Sequence, residues 1–129
     1  MIFHRIKSDV VAHLSYLIGS ATEAMVVDPQ RDVDIYLKIA KENGLHIKYI
    51  FETHRNEDYL IGSRELSHYT QAEIYHGPWP DFKYGNKLED GQVFKVGNLR
   101  VEALHTPGHT PGDMSYAVTD LQTGDSPVL

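Results

Sequence analysis

Two short stretches of the chain carry residues whose types and spacing could do chemistry. Phe51-Glu52-Thr53-His54-Arg55-Asn56-Glu57-Asp58-Tyr59-Leu60 sets a His and an Asp four residues apart, directly after an apolar run. Leu104-His105-Thr106-Pro107-Gly108-His109-Thr110-Pro111-Gly112 places two more His among two Pro-Gly pairs. Proline fixes φ and glycine accepts positive φ, so the second stretch reads as a tight, well-defined loop. A rigid loop that presents an imidazole suits metal binding, because ligand geometry has to be set before the metal arrives. His54 and His109 are therefore the candidate metal ligands. His105, the last residue of the preceding strand, is expected to pack or hydrogen-bond within the loop. A lone His at a strand end is more often structural than ligating; the two turns together, in this order, make a distinctive pair. His4, His13, His46, His68 and His76 stand singly and read as surface or partly buried polar residues.

The elements that must position these turns follow from hydrophobic periodicity. Ile2–Ile6 and Leu14–Ile18 read as strands, and Ala24–Val27 as a short buried strand closed by the breaker pair Asp28-Pro29. Asp32 is a plausible N-cap for a helix from Val33 to about Asn43. Val33, Tyr36, Leu37 and Ala40 give that helix one apolar face, and Gly44 stands at its C′ position. Leu45–Glu52 is the next strand, which makes Ala24–Phe51 a strand–helix–strand unit of the kind that forms a parallel crossover. The His54 turn then starts at the C-terminal end of a parallel strand, the edge where α/β sheets collect ligands. Leu60–Thr70 reads as a helix and Glu73–Tyr75 as a strand. The aromatic-rich segment His76–Asn86 reads as loop, suited to cover a core edge or to line a pocket. Gln92–Val96 and Leu99–Leu104 flank the hairpin turn Gly97-Asn98, and Met114–Val118 is a further strand. The order of elements indicates an α/β, or α+β layered, domain.

Composition narrows the function classes. With 41% apolar and 23% charged residues the chain is an ordinary globular sequence, long enough for one core. Its net charge of −6 argues against a nucleic-acid or anionic-membrane surface. The absence of Cys removes disulfides, thiolate metal sites and a cysteine nucleophile, and fits a reducing cytoplasm. No stretch approaches the roughly 20 apolar residues needed to cross a bilayer.

Taken in order, Ser15-Tyr16-Leu17-Ile18, Val27-Asp28-Pro29, Glu52-Thr53-His54, Gly62-Ser63, the double Thr-Pro-Gly loop at residues 104–112 and Met114-Ser115-Tyr116 resemble the metallo-β-lactamase-fold superfamily. Within it the chain looks most like the branch that holds persulfide dioxygenases, glyoxalase II enzymes and proteins fused to rhodanese domains. The resemblance covers essentially the whole chain and implies the N-terminal part of a four-layer αβ/βα sandwich, with residues 1–129 a single, incomplete domain. Family members continue into a strand that ends in a Gly-Asp whose Asp is a metal ligand, and later a final His. Thr123-Gly124-Asp125 mimics that pair, yet it lies in a polar stretch and reads as a hairpin turn.

Departures from the family pattern bear on the number of metals. The family turn is His-x-His-x-Asp followed by His, Phe or Tyr; here Asn56 replaces the second His and Tyr59 follows the Asp. Losing imidazoles disfavours the dinuclear zinc site of glyoxalase II-like thioester hydrolases. A mononuclear site tolerates the change. The resemblance to persulfide dioxygenases implies one Fe(II) held by His54, His109 and a later Asp, the two-His-one-carboxylate arrangement that leaves positions open for O2 and substrate. Asp58 would then orient a ligand or a metal-bound water by hydrogen bonding, or cap the helix that follows. The implied substrate is a small thiol persulfide such as glutathione persulfide, with a fused rhodanese domain as a possible supplier. A zinc hydrolase is the alternative, and a metal-free interaction or regulatory domain a third reading. Two ligands alone predict weak metal retention by this chain by itself. The sheet face left open by the missing half predicts a homo-oligomer.

Overall fold

The computed structural model describes residues 1–8, 13–53, 62–78, 84–107 and 113–122. A six-stranded sheet is built from β1 (Ile2–Ser8), β2 (His13–Ser20), β3 (Glu23–Val27), β4 (His46–Phe51), β5 (Glu73–His76) and β6 (Asn86–Lys87), in that order. β1, β2 and β3 pair antiparallel, and β3 through β6 run parallel. Two helices, α1 (Asp34–Glu42) and α2 (Ser63–Thr70), supply the connections between the parallel strands β3, β4 and β5. A second, antiparallel sheet consists of β7 (Val93–Val96), β8 (Leu99–His105) and β9 (Met114–Asp120).

Alternation along the central strands decides the layering. In β3, Ala24 and Val26 enter one core with Tyr36 and Ala40 of α1 and Leu66 of α2, while Met25 and Val27 enter the other. That other core is shared with Phe94, Val96, Leu99, Val101, Ala103, Tyr116 and Val118 of β7–β9. Both faces are buried, which is why β3 reads as a continuous apolar run rather than an alternating one. In β4 a bulge opposite Ala24/Met25 lets Ile47 and Ile50 face the helices while Tyr49 and Phe51 face the second sheet. Phe51 lies 4.9 Å from the rings of both Phe94 and Tyr116, an aromatic centre for the contact between the sheets.

The helical core also uses a buried tyrosine as a polar tie. Tyr36, on the apolar face expected for α1, accepts a hydrogen bond from Gln30 N–H at 2.7 Å. Its hydroxyl donates in turn to Ser15 Oγ at 2.6 Å, and Ser15 donates on to the Ile6 carbonyl. Burial pushes the Tyr36 phenol above its ordinary range, so this proton stays in place.

Several boundaries differ from the sequence reading. α1 begins at Asp34 with Val33 as the cap residue; Asp32 lies one position earlier, and its carboxylate accepts the Asp34 N–H at 3.2 Å. Gly44 ends that helix as expected, with φ +63, Gly44 N–H on the Lys41 carbonyl and Leu45 N–H on the Ala40 carbonyl, a Schellman closure. The segment read as loop from His76 contributes more than a loop: His76 completes β5, and Asn86-Lys87 adds β6 beside it. Asn86 Nδ2 donating to the Ile74 carbonyl and Leu88 N–H donating to the His76 carbonyl hold that short strand, a tie that local propensity does not reveal. His76 itself is buried, its Nδ1 2.8 Å from the Gly77 carbonyl oxygen. The face of the six-stranded sheet expected to lie open is covered by β7–β9. On that face of β1–β2 Phe3 and Leu14, 42% and 43% exposed, remain as large exposed apolar side chains among the described residues.

The Gly97-Asn98 turn between β7 and β8 docks the second sheet onto the first. Gly97 N–H donates to Glu23 Oε1 at 2.8 Å, and Asn98 N–H to Ser20 Oγ at 3.1 Å. Gly97 has φ +56, and a Cβ there would lie 2.1 Å from the Ser20 carbonyl oxygen. Gly97→Ala is expected to cost about 2–3 kcal/mol, read as a lower midpoint in chemical denaturation. The hydrogen bond from Gly97 N–H, reinforced by Lys48, holds the Glu23 carboxyl below its ordinary value of 4.5. A depressed folded-state pKa stabilises the fold above the unfolded value, and that stabilisation is lost as pH falls through the folded one. Glu23→Gln should therefore flatten part of the decline in thermal midpoint between about pH 5 and pH 3.

Candidate metal centre

The parallel order β3–β4–β5 brings the C-terminal ends of those strands to one edge of the sheet. At that edge Asp28 follows β3 with φ +51, a left-handed conformation that Asp tolerates better than most residues. Its N–H donates to the Phe51 carbonyl at 2.8 Å, which extends the pairing of β3 with β4 by one step. The turned backbone aims the buried Asp28 carboxylate at Thr53. Oδ1 accepts the Thr53 N–H at 2.9 Å, and Oδ2 accepts the Thr53 hydroxyl in a short hydrogen bond. Both are charge-assisted, the stronger kind of hydrogen bond.

The residue next to Asp28 holds the other side of the same turn. Gly62 N–H donates to the Pro29 carbonyl at 2.8 Å, and a Cβ at position 62 would lie 2.1 Å from the Gln30 carbonyl oxygen. Thr53 and Gly62 bracket residues 54–61, so one Asp-Pro corner anchors the chain on both sides of the His54 turn. The sequence reading assigned Asp28-Pro29 only the role of strand breaker. Its signal was the Asp itself, an acceptor placed at the end of an apolar strand.

The histidine-containing loop after β8 is bracketed in the same way. Thr106 N–H donates to the Asp113 carbonyl at 3.0 Å, and the hydroxyls of Thr106 and Ser115 lie 2.7 Å apart. His105 ends β8 as expected, with its N–H on Asp90 Oδ1 at 2.8 Å, and the residue is exposed. Two bonds then connect the brackets of the two turns. Met114 N–H donates to the Thr53 carbonyl at 2.5 Å, and the buried Tyr116 hydroxyl donates to the Glu52 carbonyl at 2.6 Å. Burial, with the charges of Asp28 and Glu52 adding to it, pushes the Tyr116 phenol well above its ordinary range, so it remains a donor. The buried Glu52 carboxylate accepts from the Tyr84 hydroxyl at 2.9 Å, and Arg64 lies over the Tyr84 ring.

The candidate ligands His54 and His109, together with Asn56, Asp58, Tyr59 and the Thr123-Gly124-Asp125 turn, lie outside the described residues. Among the described residues no three His, Asp or Glu side chains gather into a metal-binding group. What the structure brings together is the backbone on either side of both histidine turns, tied by hydrogen bonds into one frame at one sheet edge.

This layering is that of the metallo-beta-lactamase superfamily, to which the chain belongs: the family model matches residues 8–122. Its likenesses within the family fall on different activities. A mitochondrial persulfide dioxygenase ETHE1 of Bos taurus is 32% identical, over 87% of this chain and 47% of the relative. A hydroxyacylglutathione hydrolase of Aeromonas salmonicida is 31% identical, over 78% of this chain and 41% of the relative. The crystal structure of a metallo-beta-lactamase from Staphylococcus aureus superposes with a TM-score of 0.85 at 32% identity, covering 96% of this chain and 39% of that one. The chain spans about a third to three fifths of the length of the curated relatives it matches, from 33% to 60%. Among the described residues no helix is long and apolar enough to cross a membrane.

Because Asp28 is 5% exposed, removing the charge of its carboxylate weakens two charge-assisted hydrogen bonds from Thr53. Asp28→Asn keeps the shape but turns an amide toward Thr53. It is expected to lower stability by about 2 kcal/mol in urea denaturation. Thr53→Val, which removes only the hydroxyl, should cost about half as much.

Proposed function

We propose that this chain forms the N-terminal part of a single four-layer domain that binds one ferrous iron and oxidises a small thiol persulfide with O2. His54 and His109 are the ligands from this chain, and a carboxylate from further sequence completes the set. The hydrogen bond from Met114 N–H to the Thr53 carbonyl carries the reading, because it joins the backbone beside the His54 turn to the backbone beside the His109 loop. The likeness to a persulfide dioxygenase supports the substrate class. Asn56, standing where the family has a second His, supports one metal rather than two. Iron held by these residues would supply O2 activation when bound. For the chain's own residues, the work is to hold two imidazoles at fixed separation, with Asp58 hydrogen-bonding a ligand or a metal-bound water. A thiol persulfide, O2 and water would give thiol, sulfite and two protons. Glutathione persulfide is the natural candidate substrate, delivered free or from a fused rhodanese domain, in the cytoplasm.

A zinc-dependent thioester hydrolase is the second reading, favoured by the similarity to hydroxyacylglutathione hydrolase and disfavoured by Asn56 and Tyr59. Metal analysis of the protein with its natural flanking sequence separates the two. The expected result is about one iron per chain, O2 uptake that depends on persulfide, and at least about tenfold weaker metal binding in His54→Ala and His109→Ala. Two zinc ions per chain with thioester cleavage would establish the hydrolase instead, and a protein that takes up no metal would remove both.

A further inference from the structure

Tyr116 lies outside both histidine turns, yet its hydroxyl reaches the carbonyl of Glu52, two residues before His54. It stands on β9, the strand that leaves the His109 loop through Asp113 and Met114. Met114 N–H on the Thr53 carbonyl is the first tie between these segments, and Tyr116 is the second, two residues further along the same strand. Two successive carbonyls of one segment are thus held by two positions of the other. One bond alone fixes a distance; two bonds spaced along the strand also fix the relative rotation of the segments. Tyr116 is fully buried, and its ring packs 4.9 Å from Phe51, the last residue of β4. The hydroxyl is therefore held by packing as well as by its bond, and neither end of the tie swings freely.

We propose that Tyr116 is a positioning residue of the metal site, setting through the Glu52 carbonyl the placement of the His54 turn relative to the His109 loop. The inference rests on the metal-binding reading given above. Outer hydrogen-bond partners of metal ligands are worth about 10- to 100-fold in affinity, and a tie acting through backbone belongs at the lower end of that range.

Cobalt(II) titration of the protein with its natural flanking sequence tests this, because the d–d bands report ligand geometry as well as occupancy. Tyr116→Phe is expected to keep the circular dichroism of the fold, bind Co(II) about tenfold more weakly and shift the d–d bands. Val118→Ala, in the same strand and facing the same core, serves as the comparison; it lowers stability without touching the tie and should leave affinity and bands as in the wild type. Wild-type Co(II) affinity and bands in Tyr116→Phe, while His54→Ala loses binding, would overturn the role of Tyr116 and leave the metal reading standing. An equal loss in Val118→Ala would also overturn it, by showing that general destabilisation suffices. If His54→Ala binds like the wild type, the metal reading falls and this inference falls with it.

Discussion

The corner formed by Asp28 and Pro29 is the constraint on which the C-terminal edge of the parallel strands depends. A buried carboxylate at the end of β3 takes both donors of Thr53, and the adjacent carbonyl takes the N–H of Gly62. The chain enters and leaves the His54 turn at points held by neighbouring residues of one loop. Such a corner works only if it is itself immobile. Its rigidity comes from the Asp28 N–H bond to Phe51 and from the Gln30 N–H bond to the buried hydroxyl of Tyr36. A polar site is thereby supported from the hydrophobic core on the helical side of the sheet.

Two-sided burial of β3 and β4 provides the second condition. A strand covered on both faces cannot slip by one residue without exchanging its two sets of side chains between cores of different shape. The register that places Val27 beside Phe51 follows, and with it the level at which Asp28 meets Thr53. β7–β9 take part in the same way. Their buried face packs on Phe51, their turn docks through Gly97 and Asn98, and β9 delivers Met114 and Tyr116 to the carbonyls of Thr53 and Glu52. The histidine turns come from distant parts of the sequence, and the layer between the two sheets is what relates them.

Much of this was legible in the residues. The period of 3.6 in Val33, Tyr36, Leu37 and Ala40, the Gly44 stop and the Gly97-Asn98 turn each reflect local sterics or local burial, so local pattern identified them. The apolar run Ala24–Val27 and the run ending at Phe51 also announced a parallel pair. The two-residue strand β6 escaped, because its pairing with β5 depends on hydrogen bonds from Asn86 and Leu88 to residues far back in the chain. Asp32 looked like a helix cap and stands one residue too early, a displacement within the ordinary uncertainty of helix ends. The sheet face expected to lie open is covered over β3 and β4 by the chain's own hairpin and the strand that follows it, while Phe3 and Leu14 of β1 and β2 stay exposed there.

By itself the sequence determined the chemistry on offer and the local shape of each element. Imidazoles at two turns, the Asn where the family carries a second His, the Pro-Gly pairs and the alternation of apolar residues are properties of short segments, governed by covalent geometry and by which side chains avoid water. Only the tertiary structure decided what those segments are tied to. Asp28 acts as the anchor of Thr53 because parallel pairing lifts it to that level. Tyr116 reaches Glu52 because two sheets close on a shared aromatic centre. Hydrogen bonds between residues this far apart leave no periodic trace, since each partner satisfies its own local rules without the other.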